Sequence, residues 1–207
     1  ESSAGLYRRL LRPLMLCGGM VVSLHCAHAI DLQGHRGARG LAPENTIAGF
    51  RIALGVGVTT LETDLALTRD AVLVLSHEPR LASALTRGPD GTWLAEDGAP
   101  FVQLDHAELG RYDIGRLNPS NKYASQWPDQ KPFDGERIPT LASLFALVRE
   151  VRSPGGAPVR LNIETKVTPG AEIPTADSRI FAQAIVEAVR SAGLVDRVTV
   201  QSFDWRT

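Results

Sequence analysis

The chain contains 207 residues, of which 43% are hydrophobic and 22% charged, a balance that is ordinary for a globular protein. Its formal net charge of −1 provides no bulk attraction for nucleic acid, so we expect no nucleic-acid partner, and any affinity for phosphate must come from a local site. Both cysteines, Cys17 and Cys26, precede residue 30, so the remainder cannot form a disulfide and depends on its core for stability.

The N-terminal segment has the pattern of a signal peptide. Arg8, Arg9 and Arg12 precede an apolar run, and the sequence AHA at 27–29 has the small-x-small form of a cleavage site. The alternative, a transmembrane anchor, needs about 20 apolar residues, and this run is shorter. We therefore predict a signal peptide over residues 1–29, a periplasmic or secreted mature protein, and no stable membrane insertion after cleavage; the export route stays open.

Strand-like and helix-like segments alternate after residue 29. We predict strands at 30–35, 59–67, 71–77, 159–166 and 197–203, and helices beginning near Asn45, Thr140 and Ser178. This alternation is typical of a parallel α/β sheet, either a barrel or a doubly wound fold. Residues 78–137 are rich in Pro, Gly and Asp, and so long a stretch between regular elements is predicted to be a functional insertion.

Ionisable side chains are concentrated near the ends of the predicted strands. Residues two apart on a strand point to the same face, which groups Glu62 with Asp64 and Glu164 with Lys166. In a parallel α/β barrel the C-terminal strand ends converge on one mouth. The side chains expected there are His35, Glu62, Asp64, His77, Glu164 and Lys166. His106, on a short helical piece elsewhere, has no converging partner and is given no role.

The chemistry of this set indicates metal-dependent cleavage of a phosphodiester. Adjacent carboxylates repel one another unless a cation joins them, and an oxygen-rich site without cysteine suits Ca²⁺ or Mg²⁺ rather than zinc. Two histidines next to such a metal can act as general acid and base, and Arg36 and Lys166 can bind a phosphoryl group. The alternatives are solvent-facing carboxylates on an edge strand and a structural Lys166–Glu164 ion pair.

Seven short motifs carry a family resemblance. In chain order they are HRG (35–37), PENT (43–46), ETD (62–64), SH (76–77), IPTL (138–141), NIETK (162–166) and QSF (201–203). Together they resemble the glycerophosphodiester phosphodiesterases, over about residues 32–203. The resemblance implies a TIM-type (β/α)8 barrel with an insertion after the third strand, of which this chain would contain about the first five strands. It also implies hydrolysis of a small-molecule glycerophosphodiester to glycerol 3-phosphate and an alcohol.

The resemblance also implies roles for individual residues. The metal ligands would be Glu62, Asp64 and Glu164, binding one divalent cation. The acid–base pair would be His35 and His77; the sequence does not distinguish the two roles, although His35 is the favoured base. Phosphate would be held by Arg36 and Lys166, with Glu44 near the metal or the substrate glycerol. Glu78 stands where many members of the family have aspartate.

Two other functions remain open at this stage. One is phospholipase-D-like cleavage of lysophospholipids, for which an apolar rim would be needed; the candidate rim residues are Trp93, Phe101, Trp127 and Phe133. The other is a non-catalytic periplasmic barrel that binds phosphate or a polyol. Because five strands fall short of eight, we expect residues 30–207 alone to be an incomplete catalyst. The sequence carries no signal for oligomeric state or for Ca²⁺ against Mg²⁺.

Overall fold

A computed structural model describes residues 30–153, 155–167, 170 and 173–207. The predicted signal peptide, residues 1–29, lies outside the described residues. Among the described helices, none combines the length and apolar character that a membrane crossing needs. In chain order, the strands and α-helices are β1 (Gln33–Gly34), α1 (Ile47–Val56), β2 (Thr60–Leu67), β3 (Leu73–Leu75), α2 (His106–Leu109), α3 (Leu141–Glu150), β4 (Arg160–Thr165), α4 (Ser178–Ser191) and β5 (Val198–Ser202).

Four of the strands form a parallel sheet in the order β1-β2-β4-β5. The connections run through helices: α1 lies between β1 and β2, and α4 lies between β4 and β5. This arrangement confirms the predicted parallel α/β sheet. The five predicted strands are all present, with β1 and β3 shorter than expected.

β3 differs from the predicted arrangement, because it runs antiparallel to β2. Leu65 pairs with Leu75, and Leu67 pairs with Leu73. Only residues 68–72 join the two strands, whereas a return to a parallel strand needs a crossover of a dozen or more residues. The prediction that β3 is a parallel barrel strand was therefore wrong. β4 lies directly beside β2, and the chain after β3 returns alongside Asp64, whose carbonyl accepts from the Ser76 N–H at 3.0 Å.

The two faces of β2 serve different purposes. Leu61 and Leu65 point into the main core, which α1, α3 and α4 cover. Glu62 and Asp64 point to the opposite face, as the two-residue period of a strand requires. Ala66, the next residue on that face, belongs to a second core built largely from the 78–137 segment, with Leu81, Phe101 and Leu109. The 78–137 segment therefore packs on the same side of the sheet as the carboxylates.

α1 begins at Ile47, two residues after the predicted start near Asn45, and Thr46 is its N-cap. The Thr46 hydroxyl accepts a hydrogen bond from the Gly49 N–H at 3.0 Å and donates one to the Pro43 carbonyl at 2.7 Å. The helix ends at Val56. Gly57 then adopts the left-handed conformation, with φ of 104°, that commonly ends helices. Thr46 thus joins the start of α1 to the loop that precedes it.

The two threonine caps allow a matched test of this junction. Thr46→Ala removes a buried cap together with its bond to Pro43, so we expect a loss of about 2 kcal/mol in the free energy of unfolding. Thr140→Ala removes the more exposed cap of α3 and should cost about 1 kcal/mol. Urea unfolding of both variants checks the order. Equal losses, or a larger loss for Thr140→Ala, would contradict the structural role given to Thr46.

Candidate active site

Three carboxylates meet where β2 and β4 lie side by side. The parallel register places Asp64 opposite Glu164, and Glu62 precedes Asp64 on the same face. One carboxylate oxygen of each residue lies within 4.8 Å of those of the other two, and all three side chains are buried. The structure therefore brings together the acidic triad that the strand periodicity predicted.

Both cations predicted to bind phosphate contact carboxylates in this structure. Lys166 Nζ lies 2.6 Å from Glu164 Oε1 and 3.6 Å from Asp64 Oδ1. Arg36 Nη1 lies 2.9 Å from Glu44 Oε1, and Arg36 Nε lies 3.3 Å from Asp64 Oδ2. The Lys166–Glu164 ion pair, which the sequence analysis considered as an alternative role for these residues, is thus present. Each cation offsets part of the negative charge that burial concentrates around the triad.

The loop between β1 and α1 holds Arg36 in an uncommon backbone conformation. Arg36 has a φ of 51°, and its N–H donates to Glu62 Oε2 at 2.7 Å. Gly37 follows with a φ of 83°, and a Cβ at that position would lie 2.9 Å from the Gly49 backbone. A side chain at residue 37 would therefore push the loop away from α1, and Arg36 away from the triad.

Asn45 is a site residue that the sequence analysis did not single out, although it lies in the PENT motif. Its Nδ2 donates to Asp64 Oδ2 at 3.0 Å, and its Oδ1 accepts from Thr63 Oγ1 at 2.8 Å. Its φ of 53° is left-handed, a conformation that asparagine adopts more readily than most residues. The sequence signal that could have identified this residue is an asparagine immediately before a helix cap. Asn45 fixes the orientation of the Asp64 carboxylate.

The triad has the properties of a site for a hard divalent cation. Glu62 Oε1 and Asp64 Oδ1 are buried and have no hydrogen-bond donor within the part of the chain that the structure describes. Burial, followed by the charge of Asp64, raises the pKa of Glu62 to about 7. Such oxygens need a partner, and a divalent cation with oxygen ligands would supply one. The donor set of Glu62, Asp64 and Glu164 therefore fits Ca²⁺ or Mg²⁺.

His35 follows β1 and borders the triad. Its Nε2 lies 3.9 Å from Glu62 Oε2, and its Nδ1 lies 3.0 Å from Arg39 Nη2. Partial burial, followed by the positive charges of Arg39 and Arg36, lowers the pKa of His35. The neutral imidazole is therefore favoured at the edge of the site.

His77 approaches from the end of the β2–β3 hairpin. Its Nδ1 lies 2.8 Å from Glu78 Oε1, and this hydrogen bond is the main reason that the pKa of Glu78 is lowered. His77 borders a cleft of about 350 Å³ together with Arg36 and Glu44. The longer Glu78 thus still reaches the adjacent histidine. His106 instead starts α2, where its N–H donates to an aspartate outside this cleft.

The opposite wall of the cleft comes from the 78–137 segment, which the sequence could not place. The Tyr123 hydroxyl donates to Glu44 Oε2, and the Arg39 guanidinium lies over the Trp127 ring, 4.3 Å from its centre. Gln130 Nε2 donates to the Arg39 carbonyl at 2.8 Å. These contacts join residues about 80 to 90 positions apart, for which no local sequence signal exists.

Comparisons with known proteins agree with this geometry. The sequence model of the glycerophosphoryl diester phosphodiesterase family matches residues 35–207. A glycerophosphodiester phosphodiesterase of Caldanaerobacter subterraneus is 29% identical over 174 residues, which cover 82% of this chain and 56% of that protein. The crystal structure of a candidate glycerophosphoryl diester phosphodiesterase from Silicibacter pomeroyi matches with a TM-score of 0.75 and 35% identity, over 84% of this chain and 57% of that one.

A further solved structure contains a reaction product. It is an Oleispira antarctica phosphodiesterase in complex with the product sn-glycerol-3-phosphate, matched with a TM-score of 0.59 and 26% identity. The match covers 84% of this chain and 57% of that chain. The chain thus spans little more than half the length of these relatives, whose TIM-type fold its parallel sheet and helices share. By sequence, fold and the residues gathered at its acidic triad, the chain belongs to the glycerophosphoryl diester phosphodiesterase family.

Proposed function

We propose that this protein hydrolyses glycerophosphodiesters to glycerol 3-phosphate and an alcohol. The observation that carries the proposal is the buried acidic triad, with His35 next to it and His77 in the adjoining cleft with Arg36 and Glu44, in a chain of this family. The product found in the Oleispira antarctica relative supports the same substrate class. A phosphodiester needs charge neutralisation and two proton transfers, and the residues around the triad offer both.

Glu62, Asp64 and Glu164 would hold one divalent cation, Ca²⁺ or Mg²⁺. The cation would supply positive charge to a phosphoryl oxygen. Arg36 and Lys166 each have more N–H groups than their carboxylate contacts use, so they could bind phosphate oxygens without releasing the triad. The support for these assignments is the closeness of the three carboxylates to one another and to the two cations.

His35 and His77 would carry the protons. One ring would take the proton of the attacking hydroxyl group, and the other would protonate the oxygen of the leaving alcohol. Glu44 would orient Arg36 at the edge of the cleft, because it holds Arg36 on one oxygen and Tyr123 on the other. The substrate would occupy the cleft between His77 and the 78–137 segment.

Two observations favour a water-soluble diester over a lysophospholipid. Phe101, a candidate for an apolar rim, is only 1% exposed in the second core. The ring of Trp127, another candidate, packs against the Arg39 guanidinium and the edge of Tyr123. The proposed site of action is outside the cytoplasm, and its support is the signal-peptide pattern of residues 1–29.

The metal site can be tested through stability as well as activity. The pKa of Glu62 in the folded protein is about 7, above the ordinary 4.5, because the protonated side chain is the form that the fold favours. Its contribution to the free energy of unfolding is therefore fully present below pH 4.5 and is lost as the pH rises through 7. At pH 8 in chelator, Glu62→Gln should therefore unfold about 2–4 °C higher than the parent. Calcium or magnesium should stabilise the parent but not the variant.

Thermal unfolding with chelator and with each cation measures both effects. Glu150→Gln, an exposed substitution at the end of α3, is the matched control and should behave as the parent does. A Glu62→Gln protein that is less stable than the parent in chelator, and that still gains stability from the cations, would refute the metal assignment.

The catalytic proposal is tested on two substrates and two histidines. His77→Ala should lower turnover of glycerophosphocholine by roughly 10²–10⁴-fold, the usual contribution of a general acid or base. His106→Ala should be nearly silent, because His106 lies outside the cleft. Release of glycerol 3-phosphate and of choline is measured by coupled assays. Faster turnover of lysophosphatidylcholine would favour the lipid-directed alternative, and tight binding without turnover would favour a binding protein.

A further inference from the structure

Arg39 makes a contact that determines where His35 carries its proton. Arg39 Nη2 lies 3.0 Å from His35 Nδ1. A guanidinium group has only N–H donors and does not lose its proton in proteins, so Nδ1 must be the acceptor. The neutral His35 ring then carries its hydrogen on Nε2, the nitrogen that lies 3.9 Å from Glu62 Oε2 and faces the triad.

His77 has the opposite arrangement. Its Nδ1 lies 2.8 Å from Glu78 Oε1, and an ionised carboxylate can only accept a hydrogen bond. Nδ1 therefore carries the hydrogen of the neutral His77 ring, and Nε2 is left with a free lone pair. Neither arrangement depends on the other, because the two partners belong to different segments of the chain.

The 78–137 segment holds Arg39 in place without a counter-ion. The guanidinium lies over Trp127, Nη1 lies 3.5 Å from the Tyr123 hydroxyl, and Gln130 binds the Arg39 carbonyl. Among the ion pairs formed by the described residues, none includes Arg39, whereas Arg36 has two carboxylate partners. Stacking on a ring orients a planar guanidinium while leaving its N–H groups free to donate.

We propose that Arg39 is a positioning residue that fixes the tautomer and orientation of His35, and that the 78–137 segment acts on the site through it. His77 is then the ring that can accept a proton at Nε2, and His35 is the ring that presents an N–H to the substrate. This assignment reverses the sequence-based preference for His35 as the base. It rests on the proposed diesterase function for its consequence, but the contact itself can be tested without any activity.

The first experiment uses NMR to determine which ring nitrogen of each histidine carries the hydrogen. In protein labelled with ¹⁵N-histidine, at alkaline pH where imidazoles are neutral, we expect hydrogen on Nε2 of His35 and on Nδ1 of His77. Arg39→Met keeps an apolar stem against Trp127 but removes every donor. The His35 Nδ1 resonance should then move downfield, towards the position of a free lone pair, while His77 stays unchanged. Arg51→Met, on the exposed face of α1, is the matched control.

A second variant guards against a folding defect. Trp127→Leu leaves Arg39 present but removes the ring that orients it, so His35 should shift in the same direction by a smaller amount. An unchanged His77 spectrum reports that the site is folded. Hydrogen on Nδ1 of His35 in the parent protein, or a His35 spectrum that neither variant changes, would overturn the proposal.

Kinetics separate positioning from substrate binding. Removing the residue that hydrogen-bonds the second ring nitrogen of a functional histidine commonly lowers activity by about 10–100-fold. We expect a loss of that size in kcat for Arg39→Met, with KM little changed. In a His35→Gln background the same substitution should cost nothing further. A rise in KM alone would show that Arg39 binds substrate instead. Diesterase activity that is absent even from a protein extended to the length of its relatives would contradict the proposed function, while the NMR result still decides the role of Arg39.

Discussion

Repulsion among three buried carboxylates is the constraint around which the site is organised. The parallel register of β2 and β4 places Asp64 beside Glu164, with Glu62 one step away on the same face. Buried charges of one sign are costly unless partners compensate them. Lys166, two residues after Glu164 and just past the end of β4, supplies one compensating charge, and Arg36 supplies another. The remaining negative charge is the reason that we propose a divalent cation at this site.

The backbone of the loop between β1 and α1 is held in place by contacts with the carboxylates of the triad. Arg36 and Asn45, near the two ends of the loop, both adopt left-handed conformations, and the Asn45 N–H donates to the Arg36 carbonyl at 3.0 Å. Such conformations persist only where surrounding contacts compensate for them. Here those contacts are made with Glu62 and Asp64, so the loop and the triad hold each other in place.

The sequence predicted the features that local periodicity encodes. The predicted helix starts near Asn45, Thr140 and Ser178 agree with the observed starts to within two residues, and the shared face of Glu62 and Asp64 followed from the strand repeat. The direction of β3 could also have been predicted, because five connecting residues allow only a hairpin. The contacts of Arg39 with Trp127 could not be predicted, since they join an irregular segment to a distant loop and depend on tertiary packing.

The short hairpin has a consequence for how this protein can change over evolution. Because the turn at 68–72 returns the chain directly along β2, the length of this turn determines the position at which His77 enters the cleft. One residue more or less would exchange the two faces of β3 and carry the histidine away from the cleft. Within the 78–137 segment, only the loops outside its core and cleft residues have no comparable limit, so we expect insertions and deletions to accumulate there.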